Sequence, residues 1–281
     1  MKIYKPKFWQ TKNNFLSLIL LPISIIFQIL FFIKKVVTIQ QKFKIPIICV
    51  GNIYVGGTGK TPIAIMIANN LKTEKKNPVI IKKYYKNHKD EHRIINEMTN
   101  CLILDKNRVQ AIKKAERKNF DIAILDDGFQ DYSINKNLNI LCFNSAQLIG
   151  NGKTLPSGPL RQNIDAIKNT QLILINGNKD ESFEKKIIKI SNKVKIFYSK
   201  YLPSNIQEFS GKRLFAFAGI GNPKNFFKLL IDNNLKIYRT LSFPDHYKFS
   251  KSEIQKMIDE SIKNNCELIT TEKDYYRIKD L

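Results

Sequence analysis

The chain has 281 residues, 43% hydrophobic and 25% charged, with 47 Lys and Arg against 24 Asp and Glu for a net charge of +23. That length holds one large core, or one large and one small, and the composition is that of a globular protein. Four dispersed cysteines (Cys49, Cys101, Cys142, Cys266) with no CxxC pair argue against a zinc site or a disulfide framework and suit a reducing compartment. The positive excess suits anionic partners such as nucleic acid, phospholipid headgroups or phosphorylated substrates. Lys, Asn and Ile are frequent along the whole chain, so the charge alone decides nothing.

Residues 15–33 read FLSLILLPISIIFQILFFI, without a charge, and are flanked by Lys2, Lys5, Lys7 and Lys12 before and Lys34, Lys35, Lys42 and Lys44 after. Such a run is about as long as a helix needs to cross a bilayer core. It is too long for a signal peptide and no small-residue cleavage site follows. Pro22 and Gln28 interrupt it, and lysines at both ends give no orientation. The expectation is an N-terminal membrane-associated helix, either spanning or embedded in one leaflet, with a buried soluble helix as the alternative.

Beyond it, short apolar runs alternate with helical patterns. Residues 45–50 (IPIICV) predict a buried strand, then a glycine-rich loop and a helix over 61–71. Further strands are predicted at 78–81, 121–125, 139–143 and 171–175, with another apolar run at 194–198. Strand, loop and helix in alternation predict a parallel sheet covered on both faces. A strand at 213–218, a loop at 219–223, a helix near 226–233 and an apolar run at 267–270 predict a second, smaller α/β unit. The expected division is a membrane-anchoring helix over 1–40, a nucleotide-binding domain over 41–205 and a C-terminal α/β domain over 206–281.

Two motifs carry chemistry. Val55-Gly56-Gly57-Thr58-Gly59-Lys60-Thr61-Pro62 lies between a predicted strand and helix. There, backbone N–H groups and a helix N-terminus converge on phosphate oxygens, as in a P-loop. Lys60 would reach the β- and γ-phosphates and the Thr61 hydroxyl would ligate Mg²⁺. Tyr54 stands where the general pattern has its first glycine, so the loop is a variant. The second motif is IAILDDGFQ, residues 122–130, which ends a buried strand in Asp126 and Asp127. Two carboxylates at the carboxyl edge of a sheet beside a P-loop suit a Mg²⁺–nucleotide site.

Six segments stand in one order: NIYVGGTGKTP, LDDGFQ, GNGKTLPSGPLRQ (150–162), FAGIGNPKNFF (217–227), FPDHYKF (243–249) and TTEKD (270–274). In these the chain resembles the tetraacyldisaccharide 4′-kinases of lipid A biosynthesis over nearly its whole length. The resemblance implies a P-loop NTPase-like domain with a smaller C-terminal α/β domain and an active site between two lobes facing the cytoplasm. It implies transfer of the γ-phosphate of ATP, with Mg²⁺, to the 4′-hydroxyl of a tetraacylated disaccharide 1-phosphate, giving lipid IVA. It further implies association of the N-terminal helix with the inner membrane, and a P-loop that lacks the first glycine. Asp126 and Asp127 then serve around Mg²⁺ and the transferring phosphate, and Arg161 and Gln130 on the substrate side. In the family an Asp paired with a His takes the proton; Asp90 and His246 match those positions. The expected partners are the lipid-linked disaccharide and inner-membrane phospholipid, with no nucleic acid, and the chain is expected to be a monomer.

The chain departs from the family pattern in several places. Lys82-Lys83-Tyr84-Tyr85 stands for Ser-Arg-Gly-Tyr, and the segment from there to Asp90 is short. Asp131 replaces a His, Gln162 a Glu and Tyr247 the second His of the FPDHH element. Two other readings stay open on the residues alone: a membrane-bound P-loop switch that transfers no phosphate, and a nucleic-acid-binding protein suggested by the charge. The basic residues are spread along the chain rather than interleaved with aromatics on one face, which counts against the latter.

Overall fold

The computed structural model describes residues 6–86, 89–203, 205–245 and 247–281. After a short turn at Lys7–Gln10 come two helices, α1 (Phe15–Ile19) and α2 (Leu21–Val37). They meet at Leu20, and Pro22 falls in the first turn of α2, where a missing N–H costs nothing. The apolar run is therefore two helices rather than one long rod. Among the described residues no helix is long and apolar enough to cross a membrane.

The pair of helices is inverted relative to a globular surface helix. Ser17 and Ser24 are fully buried, whereas Phe15, Leu18, Ile26, Leu30 and Phe32 are exposed. The inward polar stripe is held by residues 151–157. Ser17 Oγ donates to the Ser157 carbonyl at 2.7 Å and Ser24 Oγ to the Thr154 carbonyl at 3.0 Å. The Ser157 N–H donates to Ser24 Oγ at 3.0 Å, Gln28 Nε2 to Thr154 Oγ1 at 3.0 Å, and Trp9 Nε1 to the Pro156 carbonyl at 3.1 Å.

The rest of the chain runs β1 (Ile47–Gly51), α3 (Lys60–Thr73), β2 (Pro78–Lys83), α4 (Lys89–Thr99), β3 (Leu102–Asp105), α5 (Arg108–Arg117), β4 (Ile122–Asp126) and β5 (Leu138–Asn144). It continues through β6 (Leu172–Asn176), α6 (Glu181–Ile190), β7 (Lys195–Ser199), β8 (Arg213–Ala218), α7 (Pro223–Asp232), β9 (Lys236–Ser242), α8 (Lys251–Lys263), β10 (Glu267–Thr270) and α9 (Glu272–Ile278). Contacts divide it into two compact units, one of residues 6–84 and 98–201, the other of 85–97 and 202–281.

In the larger unit seven strands lie in the order β3-β2-β4-β1-β5-β6-β7, each neighbouring pair parallel. The inner strands read as continuous apolar runs because helices cover both faces. Ile47, Cys49, Val79, Ile81, Ala123, Leu125, Leu141 and Phe143 all lie in one core. From β1 the chain builds outward first on the β4 side and later on the β5 side. That reversal opens a crevice beyond the carboxyl ends of the strands, where α/β sheets bind ligands. Val50 lies beside Asp126, so β1 and β4 end almost level at this crevice, while β5 runs on past Leu141, the partner of Gly51, to Asn144.

The smaller unit is a three-stranded parallel sheet in the order β10-β8-β9. Strand β8 splits its side chains between two cores. Leu214, Ala216 and Ala218 pack with Phe227 and Leu230, while Phe215 and Phe217 pack with Phe249 and Met257.

Candidate active site

The loop between β1 and α3 folds as its glycines require. Gly59 caps α3 with φ of +87°, in the left-handed region, and a Cβ there would lie 3.0 Å from the Tyr201 hydroxyl and 3.1 Å from Asn176 Nδ2. Asn52, fully buried, ties the loop from inside: its Nδ2 donates to the Gly56 carbonyl at 3.2 Å and to Thr58 Oγ1 at 3.0 Å. Tyr54, in the place of the missing glycine, is also fully buried, and its hydroxyl accepts from Gln10 Nε2 at 2.6 Å. The Val55 N–H donates to the Pro159 carbonyl at 2.9 Å and the Arg161 N–H to the Ile53 carbonyl at 2.6 Å. The chain on either side of Tyr54 is thus stitched to residues 159–161.

Strand β4 delivers the two carboxylates to the same place. Thr61 Oγ1 donates to Asp126 Oδ2 at 2.9 Å. Asp126 is fully buried, and among the described residues its Oδ1 accepts no hydrogen bond. An orphaned anionic oxygen beside a threonine hydroxyl, at the mouth of a phosphate-shaped loop, is a hard-oxygen donor set that fits Mg²⁺. Among the described residues no group of three or more His, Cys, Asp or Glu could hold a metal by itself. Mg²⁺ characteristically takes one or two carboxylates and completes its shell with water and phosphate.

Asp127 leaves the strand in the left-handed region at φ +59°, which turns it away from Asp126. Arg161 Nη1 donates to both its oxygens at 3.0 Å, and Lys60 Nζ stands 3.8 Å from Oδ1. Burial alone would raise the Asp127 pKa, but the charges of Lys60 and Arg161 outweigh it and hold the carboxyl below its ordinary value. Burial pulls the Lys60 pKa down, with the Asp127 carboxylate opposing it. Arg108 Nη2 donates to the Asp127 carbonyl at 2.8 Å. Gln130 Nε2 donates to the Asn52 carbonyl at 2.7 Å and to Gln162 Oε1 at 3.3 Å, so it bridges the phosphate loop and residues 161–162.

Alongside runs a groove of about 900 Å³, walled by Ile25, Ile29 and Phe32 of α2 on one side and by Phe129, Tyr132 and Arg161 on the other. One wall is wholly apolar, and the other sets the Arg161 guanidinium beside the aromatic rings of Phe129 and Tyr132.

Lys60, Thr61, Asp126, Asp127, Gln130 and Arg161 therefore come together as the motifs lead one to expect. Asp90 belongs to the smaller unit. It lies in the first turn of α4, 6% exposed, where its Oδ2 accepts from Arg277 Nε at 2.7 Å with Arg277 Nη2 at 2.6 Å. Arg277 also donates to the Gly219 carbonyl and to Asp274 Oδ1, both at 2.6 Å. His246, the expected partner of Asp90, lies outside the described residues. Cys49 and Cys142 are core residues, their thiols pushed up to about 12 by burial. Sequence reasoning missed Asn52, Arg108 and Lys82; of these only Lys82, a charge closing the apolar run PVII, left a visible mark.

Comparison with known proteins follows the same line. The profile of the tetraacyldisaccharide-1-P 4′-kinase (LpxK) family matches residues 16–281. A tetraacyldisaccharide 4′-kinase of Pelagibacter ubique is 43% identical over 288 residues, covering 100% of this chain and 90% of that one. One from Rickettsia bellii is 34% identical, covering 100% and 91%. Among solved structures, the "apo" form of LpxK from Aquifex aeolicus in complex with ATP superposes with a TM-score of 0.68, at 23% identity and over 94% of this chain and 90% of that one.

Proposed function

The chain belongs to the tetraacyldisaccharide-1-P 4′-kinase family, and we propose that its phosphate loop binds ATP and that the γ-phosphate passes to the 4′-hydroxyl of a tetraacyldisaccharide 1-phosphate, yielding lipid IVA in lipid A biosynthesis. The observation that carries this reading is the meeting of Thr61 and Asp126, with an unengaged Asp126 oxygen, at the mouth of the Gly56–Lys60 loop. Phosphoryl transfer asks a protein mainly for positioning and for charge against the equatorial oxygens. Residues 56–61 supply backbone N–H groups and the N-terminus of α3, and Lys60 supplies a cation. Thr61 and Asp126 would hold Mg²⁺, which when bound neutralises phosphate charge. Arg161, bonded to Asp127 at rest, is free to exchange that carboxylate for a phosphate or sugar oxygen, and Gln130 keeps residues 161–162 against the loop.

Asp90 is the proposed base, with His246 its partner, and the groove beside Arg161 suits an amphipathic acceptor. The exposed apolar face of α1 and α2 suits insertion into one leaflet, on the cytoplasmic side of the inner membrane where ATP is available. The chain acts as a monomer in this reading.

The test is to supply vesicles carrying tetraacyldisaccharide 1-phosphate with γ-labelled ATP and Mg²⁺. Label on the lipid, absent in EDTA, is the expected result. ATP hydrolysis with no label on the lipid would instead favour a nucleotide-driven switch.

A further inference from the structure

Lys82 is the last but one residue of β2, at the carboxyl edge of the larger sheet, and only 7% exposed. The sheet register sets it directly beside Asp126. Its Nζ donates to Asp126 Oδ2 at 2.5 Å, the same oxygen that takes the Thr61 hydroxyl. Side-chain exposures of 8% and 0% make this a buried pair. Lys82 is also among the charges that act on Lys60 and Asp127.

A nucleotide entering this loop brings phosphate charges toward two carboxylates. Arg161 answers Asp127 with two hydrogen bonds. Among the described residues no arginine pairs with Asp126, and with the cation absent its charge would face the phosphates from a low-dielectric position where repulsion is strong. We propose that Lys82 is the resident counter-charge of Asp126, a positioning residue that lets the loop accept a nucleotide triphosphate before the divalent cation is in place. Because Lys82 occupies Oδ2, it leaves Oδ1 as the open oxygen for the cation. The inference rests on the reading of residues 55–62 as an ATP site.

Equilibrium binding of ATP to the full chain, in EDTA and in saturating Mg²⁺, tests it without reference to turnover. Lys82→Met should weaken binding about tenfold or more in EDTA and less than about threefold in Mg²⁺, since the cation then supplies the missing charge. Lys82→Arg should bind as wild type in both. The double variant Lys82→Met/Asp126→Asn, which removes both charges of the pair, should recover metal-free binding and guards against a Lys82→Met protein that merely folds badly. An equal loss with and without Mg²⁺, no loss in either, or no recovery in the double variant would overturn the proposal. Failure of wild type to bind ATP in both conditions would overturn the ATP-site reading instead.

Discussion

Replacing Lys60 by Met keeps the aliphatic stem and removes only the ammonium. In the nucleotide-free protein that ammonium does little structural work. Its acidic neighbour Asp127 is 3.8 Å away, and Arg161 holds both oxygens of the same carboxylate at 3.0 Å. Burial already disfavours the charged lysine, as its lowered pKa records. The stability change should therefore stay within about 1 kcal/mol, the size of a weak ion pair. Against a phosphate the balance reverses. A full charge about 4 Å from a phosphate oxygen, at an effective dielectric near 20, is worth about 4 kcal/mol, or about a thousandfold in rate if it acts in the transition state. Label transfer from ATP to tetraacyldisaccharide on vesicles measures kcat, and thermal unfolding of the same preparation measures stability. A loss of activity under tenfold, or a fall in Tm large enough to explain it, would refute the assignment of Lys60 to the transferring phosphate.

Asp90→Asn removes a base and keeps its shape, so kcat should fall by about 10²- to 10⁴-fold while ATP binding is unchanged; a mild loss would dismiss Asp90 and point to another carboxylate. Ser24→Ala strips the partner from the buried Ser157 N–H and Thr154 carbonyl. It should cost about 2–4 kcal/mol in chemical denaturation, one or two unsatisfied groups, and a loss under 0.5 would mean residues 154–157 do not depend on α2. Asp127→Asn, which tolerates the left-handed backbone, tests the electrostatics. A carboxyl held below its ordinary value of 3.8 contributes stability above that pH and loses it as pH falls through the folded value. The variant should thus be less stable than wild type at pH 7, the gap closing below about pH 4; a constant gap would argue against the Lys60–Asp127–Arg161 cluster.

How legible these features were depends on the range over which they are encoded. The phosphate loop is local: its glycines, lysine and threonine are consecutive, and the structure returns them in the expected turn. Strands β1, β2, β4, β5 and β6 announce themselves as apolar runs because both their faces are covered. Strand β3 escaped notice, since Leu102–Asp105 offers four half-buried residues between two helices. Strand β9, KIYRTLS, escaped for a different reason: as an edge strand it is mostly exposed and carries the charges of a loop. The pairs that tune the site are nonlocal. Lys82 and Asp126 are 44 positions apart, and Asp90 and Arg277 are 187 apart; no window of sequence contains either. Hydropathy saw that residues 15–33 are apolar but not which side faces the protein. That information lies in the spacing of Ser17, Ser24 and Gln28, one polar residue for each turn or two.

The inside-out helix pair has a practical corollary for engineering. Its outward residues, among them Ile19, Ile26, Leu30 and Ile33, are exposed, whereas the serines beneath them are anchored. Polar replacements on the outer side should then yield a variant that stays dispersed without detergent, while methyl-for-hydroxyl changes underneath should unmoor both helices. The usual prescription for solubilising a protein, to leave greasy positions alone and decorate the polar ones, would here be applied the wrong way round.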